Sequence, residues 1–472
     1  MSKIRSGRSV HASARESILS AGAKSRIEYR RTNRMKASAP QRTENSDPAV
    51  LTRARHPISR KDIDPDALKV LYRLYRNGFK AYLVGGAVRD LLLGKKPKDF
   101  DVVTDAHPGQ VKKLFGNCLL IGRRFRLAHI RFKGGKIIEV ATFRKEPEKE
   151  PEGESETSPD QNNSFGTPAE DAFRRDITIN ALFYDISDFS IIDYVGGLRD
   201  MEKHRVCMIG NPHERYAEDP VRIWRVLRHA ARLDFTIEEE TARSIVYDRD
   251  LLCTCSGARL FEELNKDLTS GFARPVFQML HRYGILPILF GNAGKVLQDE
   301  PGAWDTLAHN LSVVDSFINA GKKFPYEGIL ALLFWPWAEK VLRDVTREGR
   351  DILNILHSEL VGTEMAVTIP KTLKAGITQT IYIVERMFSA MGTGRMRWSL
   401  KKRSRYLDAS IVFSLLYKGE VIDAKDPFGR IFKELCPAAS ATSGPRKRRR
   451  PRRRRNGKKA RWSNQGNDSG QT

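Results

Sequence analysis

The sequence is poor in cysteine and contains no long hydrophobic run. The cysteines form an odd, scattered set, which argues against a disulfide framework and predicts reduced, mostly buried thiols. No apolar stretch reaches the roughly 18 residues of a membrane span, and the N-terminus lacks the apolar core of a signal peptide. We therefore expect a cytoplasmic protein with no membrane partner. The five cysteines are Cys118, Cys207, Cys253, Cys255 and Cys436.

Acidic residues are scarce at both ends of the chain. Residues 1–60 contain 14 Lys or Arg and 4 Asp or Glu, and residues 446–461 contain 12 Lys or Arg and no acid. The whole chain has a net charge of +25, so that residues 61–445 are nearly balanced. Basic arms of this kind are typically disordered and bind polyanions. For the arginine run from 446 to 455, nucleic-acid binding is favoured over a merely solubilising role.

Helix and strand patterns alternate in the first half of the ordered region, and helical patterns dominate the second. Strand-like segments include Lys80–Val84 and Lys136–Phe143, the latter following a Gly134-Gly135 hairpin signal. Residues 145–168 are rich in Pro, Glu, Ser and Asn, which predicts a surface loop or disordered insert. The patterns together predict an α+β fold, with a mixed sheet first and helices afterwards.

The most informative segment is a strand that ends in two glycines and is soon followed by Asp-x-Asp. Gly85 and Gly86 predict a turn that lets backbone amides approach phosphate, and Arg89 could reach a phosphate oxygen. A tight turn with Arg89 paired to Asp90 or another acid is the alternative. No GxxxxGK[ST] sequence occurs, which excludes a P-loop NTPase.

Asp99 and Asp101 are expected side by side, because residues two apart in a strand point to the same face. Two like charges held that close are costly without a cation, and Mg²⁺ bound by carboxylates and substrate phosphates is the usual solution. Two-metal phosphoryl transfer uses such carboxylates. Glu139 interrupts an apolar strand and could be a third ligand, or could form an ion pair with an arginine from 123–126.

Two further segments combine acids with arginines. Arg174, Arg175 and Asp176 suit phosphate and ribose contact, with an ordinary charged surface turn as the alternative. Farther along, Pro220 predicts the first turn of a helix.

Asp219, Arg222 and Arg225 are then predicted on one face of that helix. An Asp acceptor beside an Arg donor would match the Watson–Crick edge of adenine. An intrahelical salt bridge is the competing interpretation for these three residues.

Together the motifs resemble the bacterial poly(A) polymerases, which belong to the class II nucleotidyltransferase superfamily alongside the CCA-adding tRNA enzymes. The resemblance is densest from about residue 57 to residue 270, and the Arg-rich end contributes to it. Its motifs are VGGAVRDLLLG, KPKDFDVVTDA, IGRRFRLAHI, IIEVATFR, DAFRRDITINAL, DYVGGLRD and NPHERYAEDPVRIWRVLRHAARL.

The resemblance implies a head, neck, body and tail. We expect a disordered basic arm (1–56), a nucleotidyltransferase head (57–205), a helical neck that binds base and RNA (206–270), a helical RNA-binding body (271–435) and a disordered Arg-rich tail (436–472). No His-Asp dipeptide signals the phosphohydrolase module of some CCA-adding enzymes.

The resemblance also implies the chemistry and the role of each site residue. RNA would receive AMP from ATP at its 3′-hydroxyl without a template, with pyrophosphate leaving and Mg²⁺, or Mn²⁺ in its place, as cofactor. CCA addition to tRNA is the alternative. Asp99 and Asp101 would hold the metals with Glu139 as accessory, and Asp176 would complete the active site. The implied nucleotide-binding residues are Gly85, Gly86, Arg89, Arg174, Arg175, Asp219, Arg222 and Arg225.

Overall fold

A computed structural model describes residues 47–122, 127–145, 165–345 and 351–436. Most of the predicted basic arm and the Arg-rich tail after residue 436 lie outside the described residues, as do residues 123–126 and residues 146–164 of the predicted insert. The end of that insert is ordered, because Thr167 caps a helix that begins at Pro168. Within the described residues the α+β prediction is confirmed, because one mixed sheet precedes a long helical region. All five cysteines are free, as expected, but they are not mostly buried: only Cys207 is buried, and Cys253 is exposed.

The head is built on an eight-stranded mixed sheet. Its strand order is β1-β8-β7-β2-β3-β6-β5-β4, and β3 runs parallel to β6 while the other neighbours are antiparallel. The strands are β1 (Ala49–Leu51), β2 (Ala81–Val84), β3 (Asp101–Thr104), β4 (Cys118–Ile121), β5 (Leu127–Arg131), β6 (Ile137–Thr142), β7 (Leu182–Asp185) and β8 (Ile191–Asp193).

Short helices cover this sheet. The first begins as its sequence predicts, because the Asp64 side chain accepts from the amide of Asp66 at 2.8 Å and Pro65 occupies the first turn. The head helices are α1 (Pro65–Arg76), α2 (Gly86–Leu92), α3 (Pro108–Leu114), α4 (Pro168–Phe173) and α5 (Gly197–Glu202), with short 3₁₀ turns at Arg53–Arg55, Lys133–Gly135 and Thr178–Asn180.

Alternation along β2 divides the core between the two faces of the sheet. Leu83 packs into the large cluster that includes α1 and α2, and Tyr82 and Val84 face a smaller cluster with Phe183. The tight turn between β5 and β6 contains the Gly134-Gly135 pair, which confirms the predicted hairpin.

The head begins earlier than the sequence indicated. The boundary between the arm and the head was expected at residue 56, but β1 pairs with β8 through Ala49 and Asp193. This strand is only three residues long and sits at the edge of the sheet, so it has no periodicity of its own to detect. Strand β1 belongs to the head because it pairs with β8, and the sequence pattern did not display this pairing.

The remaining described chain is helical apart from one small parallel pair, β9 (Arg205–Val206) with β10 (Thr236–Ile237). In the neck and the segment after it the helices are α6 (Pro212–Glu218), α7 (Val221–Leu233), α8 (Glu239–Asp248), α9 (Gly257–Leu268), α10 (Ala273–Arg282), α11 (Leu286–Phe290) and α12 (Asn292–Asp299), with a 3₁₀ segment at Arg249–Thr254.

The body continues with long helices and shares the same extended hydrophobic core. None of the helices in the described ranges is both long and apolar enough to cross a membrane. The body helices are α13 (Ala303–Asn319), α14 (Tyr326–Val345), α15 (Ile352–Gly362), α16 (Lys371–Thr393), α17 (Tyr406–Lys418) and α18 (Pro427–Leu435), with a 3₁₀ segment at Trp398–Lys402.

Candidate active site

The two glycines after β2 form the floor of a small open cleft. Gly85 has a φ of +71°, a conformation that glycine adopts without strain, and Gly86 starts α2. The cleft has a volume of about 370 Å³. It brings together six of the residues predicted from sequence and two others; its lining is Gly85, Gly86, Asp101, Asp171, Arg174, Arg175, Asp176 and Asn180.

Asp101 stands at the edge of the cleft, where strands β2, β3 and β6 meet. It is the register partner of Val84 on one side and of Glu139 on the other. Although Asp101 keeps an exposed face, partial desolvation and the negative charges of Glu139 and Asp99 raise the pKa of its carboxyl group to about 6, against a weaker opposing effect of Arg175. We call Asp99, Asp101 and Glu139 the acidic edge.

One expectation about the acidic edge needs correction: Asp99 does not lie in the strand, because β3 begins at Asp101 and Asp99 belongs to the irregular segment before it. Glu139 lies beside His129 on β5, whose Nε2 is 3.3 Å from a Glu139 carboxylate oxygen. The predicted alternative for Glu139, an ion pair with an arginine from 123–126, falls outside the described residues. The register places His129 opposite Glu139, a cross-strand relation that a one-dimensional pattern does not display.

The acidic edge has the oxygen ligands that a hard divalent cation prefers. The mutual repulsion at Asp101 is the kind of penalty that a bound cation relieves. The carboxylates do not form a closed ligand cluster by themselves: in the part of the chain that the structure describes, no three His, Cys, Asp or Glu side chains are grouped closely enough to hold a metal.

Arg174 and Arg175 border the cleft and are held by Asp171. Arg175 donates from Nε and Nη2 to one carboxylate oxygen of Asp171 at 3.1 and 2.9 Å, and Arg174 Nη1 lies 3.4 Å from the other oxygen. Arg175 also donates to the backbone carbonyl of Asn180 at 3.3 Å. These contacts fix both guanidinium groups at the edge of the cleft, where they supply positive charge opposite Asp101.

Arg89 is buried, and it adopts the paired arrangement that the sequence left open. Its Nε and Nη2 both donate to one carboxylate oxygen of Asp90, at 2.8 and 2.7 Å. Its Nη1 donates to the side-chain oxygen of Asn180 at 2.6 Å. Arg89 therefore ties α2 to the 3₁₀ turn at Thr178–Asn180, and it does not line the cleft.

Asp176 connects the head to helix α7. One of its carboxylate oxygens accepts from Arg222 Nε at 3.0 Å and the other accepts from Arg225 Nη1 at 2.9 Å. Arg222 also donates to Glu218 at 2.8 Å. An acid does pair with Arg222 and Arg225, as predicted. That acid is Asp176 of the head and not a residue of the same helix.

Asp219 departs from its predicted place. The sequence put it with Arg222 and Arg225 on one helical face, but the helix is interrupted: α6 ends at Glu218 and α7 begins at Val221. Asp219 has an extended backbone, and its carboxylate accepts from Arg259 of α9 at 2.9 Å. Helix α7 begins directly after Pro220, close to the start that the sequence predicted, so Asp219 precedes the helix and does not share its face.

Sequence reasoning did not assign roles to several residues that hold this site together. Asn180 lies between Arg89 and His229, whose Nε2 is 3.2 Å from Asn180 Nδ2. Arg215 is buried and donates to the backbone carbonyls of Arg174 and Arg175 at 2.6 and 2.9 Å. Arg215 stands in a long charged motif, but its partners lie about forty residues away, so the motif alone did not identify them.

Two protein-family models match the chain. Residues 81–207 match the model described as the poly A polymerase head domain, which covers most of the sheet and the whole cleft floor. Residues 234–293 match the model described as the probable RNA and SrmB-binding site of polymerase A. This second match lies in the helices that follow α7.

Full-length relatives extend the similarity across most of the chain. The chain is 39% identical over 387 residues to poly(A) polymerase I of Salmonella typhi, covering 79% of this chain and 83% of the relative. The chain belongs to the poly(A) polymerase I family. Poly(A) polymerase I of Escherichia coli O6:H1 is 38% identical over 396 residues, covering 81% of this chain and 84% of the relative.

The family is part of the class II nucleotidyltransferases, as the motifs indicated. A CCA-adding enzyme of Bacillus pumilus is 32% identical over 296 residues, or 60% of this chain and 70% of the relative. Among solved structures, a tRNA-processing enzyme in its apo form matches with a TM-score of 0.54 and 21% identity, covering 82% of this chain and all of that one. At this identity the structural match establishes the shared fold.

Proposed function

We propose that this poly(A) polymerase family member adds AMP from ATP to the 3′ ends of RNA without a template. The observation that carries the proposal is the cleft at the Gly85-Gly86 turn, where Asp101 faces Arg174 and Arg175. Uncompensated carboxylates beside fixed guanidinium groups suit a metal-bound triphosphate. The length of the family match supports the same activity.

The acidic edge would hold the metal, with Asp99 and Asp101 as ligands and Glu139 as an accessory carboxylate. Mg²⁺ is the ion that this oxygen donor set favours, with Mn²⁺ as the substitute. When bound, the ion would supply positive charge at the reacting phosphate and at the 3′-hydroxyl. Asp101 needs that charge most, because its neighbours already disfavour its ionised form.

The triphosphate would lie over the glycine turn. Backbone amides after Gly85 and Gly86 would donate to its oxygens, and the helix N-terminus behind them adds favourable partial charge. Arg174 and Arg175 border the cleft and would contact phosphate directly. Arg89 would act by holding the turn, because both ends of its guanidinium group are already engaged by Asp90 and Asn180.

Asp176, Arg222 and Arg225 would complete the nucleotide site from the neck side. Arg222 and Arg225 both contact Asp176, so a nucleotide that draws on either arginine must share it with this acid. Asp219 and Arg222 would read the adenine edge as acceptor and donor. For Asp219 this requires an exchange of partner, since Arg259 holds it in the free protein.

RNA would be bound through the helical neck and body and through the Arg-rich tail. The tail lies outside the described residues, and its sequence predicts sequence-tolerant contact with phosphates. Each phosphate that it engages adds about 0.7 to the slope of log affinity against log salt. Truncation after Gly444 would therefore flatten the salt dependence of RNA binding.

The decisive experiment incubates the purified full-length protein with Mg²⁺, a single-stranded RNA and each nucleoside triphosphate in turn. Lengthening by many AMP units with ATP alone supports the proposal. A requirement for both CTP and ATP, with addition limited to three nucleotides on a tRNA lacking its end, would identify a CCA-adding enzyme instead. No incorporation with any triphosphate would overturn both activities.

A further inference from the structure

A short stretch of the body has the most concentrated positive charge in the described chain. Residues 395–405 contain six basic residues and no acid. They follow α16 directly and include the 3₁₀ segment Trp398–Lys402. This stretch lies outside both matched family models, and the active-site residues belong to the head and the neck.

The basic stretch forms one wall of a cleft whose other wall is the second half of α16. The cleft has a volume of about 810 Å³, within the usual range for a small-molecule or nucleotide site. Four arginines contribute to its lining, together with one aromatic ring and small polar side chains. The lining residues used below are Tyr382, Arg386, Arg395, Arg397 and Arg403.

Most of the positive charge in the cleft is uncompensated. Arg395, Arg397 and Arg403 are exposed, and within the described ranges none of them forms an ion pair. The contrast with Arg405 is direct, because Arg405 leaves the cleft and pairs with Glu327 at 2.9 Å. Lys401 likewise pairs with Asp426. Of the four arginines that line the cleft, Arg386 lies 3.8 Å from Glu385, and the other three have no acidic partner among the described residues.

Aromatic groups are interleaved with these charges. The guanidinium carbon of Arg403 lies 4.8 Å from the centre of the Tyr382 ring, and that of Arg386 lies 6.0 Å from it. Stacking holds a guanidinium plane in a fixed direction at little cost in side-chain entropy. Trp398 belongs to the basic stretch, lies beside the cleft and not in its lining, and is 52% exposed.

Arginines without acidic partners, next to the half-buried ring of Tyr382 and the exposed ring of Trp398, form a surface that suits single-stranded nucleic acid. Arginine forks bind phosphate oxygens, and bases stack on aromatic rings and on guanidinium planes. An acidic protein surface would use the arginines but would leave the indole and the stacked guanidinium without a matching partner. A membrane surface would require apolar side chains in greater number than Trp398 provides.

We propose that the cleft between α16 and residues 395–405 is a second binding site for single-stranded RNA. Arg395, Arg397 and Arg403 contact successive phosphates, and a base stacks on Trp398. The proposal deepens the proposed function and rests on it for the choice of RNA over other polyanions. In this proposal the cleft binds the RNA chain at a point away from the reacting 3′ end.

The test measures RNA binding directly, on the full-length protein and without ATP. The probe is a fluorescent 30-nucleotide single-stranded RNA, titrated at several salt concentrations. The variant is Arg395→Ala/Arg397→Ala/Arg403→Ala. The matched control is Lys295→Ala/Lys323→Ala/Lys433→Ala, which removes three exposed charges from other parts of the same body. A second variant, Trp398→Ala, removes the ring and leaves the charge unchanged.

The arginine variant is expected to lower the salt slope by about 2, at about 0.7 for each lost phosphate contact. The control is expected to leave the slope unchanged. Trp398→Ala is expected to weaken binding about tenfold with an unchanged slope, as loss of one stacked base does. An unchanged slope in the arginine variant would overturn the proposal. So would equal losses in variant and control, which would indicate a diffuse charge effect.

AMP addition separates this proposal from the proposed function. The arginine variant should extend a primer of a few nucleotides at the normal rate and should show a raised KM for the long RNA. If the parent protein adds no AMP at all, the proposed function fails while the binding titration still decides the fate of the cleft. Preference for anionic vesicles or heparin over RNA in the same titration would assign the cleft to another polyanion and would contradict the proposal.

Discussion

Acidic residues on one side of the cleft have arginine partners, and those on the other side do not. On the neck side, Asp171 and Asp176 are each paired with two arginines at 2.9 to 3.4 Å. On the sheet side, burial and then the negative charges of Glu139 and Asp99 raise the pKa of Asp101 to about 6, against a smaller effect of Arg175. One side is neutralised by the chain, and the other is left negative.

The arginine-paired acids hold the site in shape, whereas the acids without arginine partners are available to a ligand. A carboxylate with two guanidinium partners already has its charge matched, and removing it leaves those arginines uncompensated. A carboxylate crowded by other carboxylates destabilises the free protein and gains from an external cation. The comparison therefore predicts opposite effects on stability when an acid on each side is neutralised.

The largest expected effect is on catalysis when Asp101 is neutralised. Asp101→Asn should reduce AMP addition by about 10³-fold, since it removes a main source of charge at the reacting phosphate. The same change should leave the melting temperature unchanged or raise it, because it removes like-charge repulsion. Addition rate and thermal unfolding are measured on one preparation.

Asp62→Asn is the matched control for Asp101→Asn, because Asp62 is an exposed aspartate of the head. It should change neither the addition rate nor the melting temperature. A near-normal rate of AMP addition by Asp101→Asn would show that the acidic edge has no part in the reaction.

Neutralising Asp176 should have the opposite effect on stability. Asp176→Asn removes the charge that Arg222 and Arg225 share, and a group left without its partner costs about 1–3 kcal/mol. Urea unfolding should show a lower free energy of unfolding for Asp176→Asn than for the parent protein. The same measurement should show no decrease for Asp101→Asn. Equal stability of the two variants would mean that the comparison between the two sides has no energetic basis.

Removal of Arg222 should have a smaller effect, on nucleotide choice. Arg222→Ala deletes a partly buried donor, at about 1–3 kcal/mol, and should raise the KM for ATP or reduce discrimination against CTP. Arg243→Ala, an exposed arginine on α8, is the control and should behave like the parent. Full ATP selectivity in Arg222→Ala would place base recognition elsewhere in the neck.

The smallest expected effect concerns pH. Burial, followed by the charge of Arg89 and of other arginines, lowers the pKa of His229 well below its ordinary value of 6.5. The unfolded chain then takes up a proton below pH 6.5 that the folded chain refuses, so stability falls as pH decreases, by at most about 1.4 kcal/mol per pH unit.

His229→Gln should flatten that part of the pH–stability curve. Glutamine keeps a polar group beside Asn180 but does not titrate. The measurement is urea unfolding between pH 7 and pH 5 for the parent and the variant. Identical slopes would show that His229 is not the group responsible.

Much of the fold was accessible from local pattern. The cap at Asp64, the glycine turn and the hairpin at Gly134-Gly135 each depend on neighbours within a few residues, and all three are present. The partner of Asp219 and the edge strand β1 were missed. Both are contacts with remote segments, Arg259 for the first and β8 for the second.

The candidate site shows the same division. Six of its predicted residues line one cleft, because their motifs lie on elements that the sheet and the neck bring together. The role of Arg89 and the pairing of Glu139 were open at the level of sequence. For Arg89 the deciding partner is Asn180, far along the chain, and Glu139 lies beside His129 on the adjacent strand.

The sequence by itself determined the family, the α+β order and the chemical types present at the site, since these are properties of motifs and their spacing. Only the tertiary structure decided which charges are matched and which are left open. Ion pairs join residues that share no local pattern, such as Asp176 with Arg222 and Arg225. Electrostatic energy depends on distance in space and on burial, and neither quantity is a function of separation along the chain.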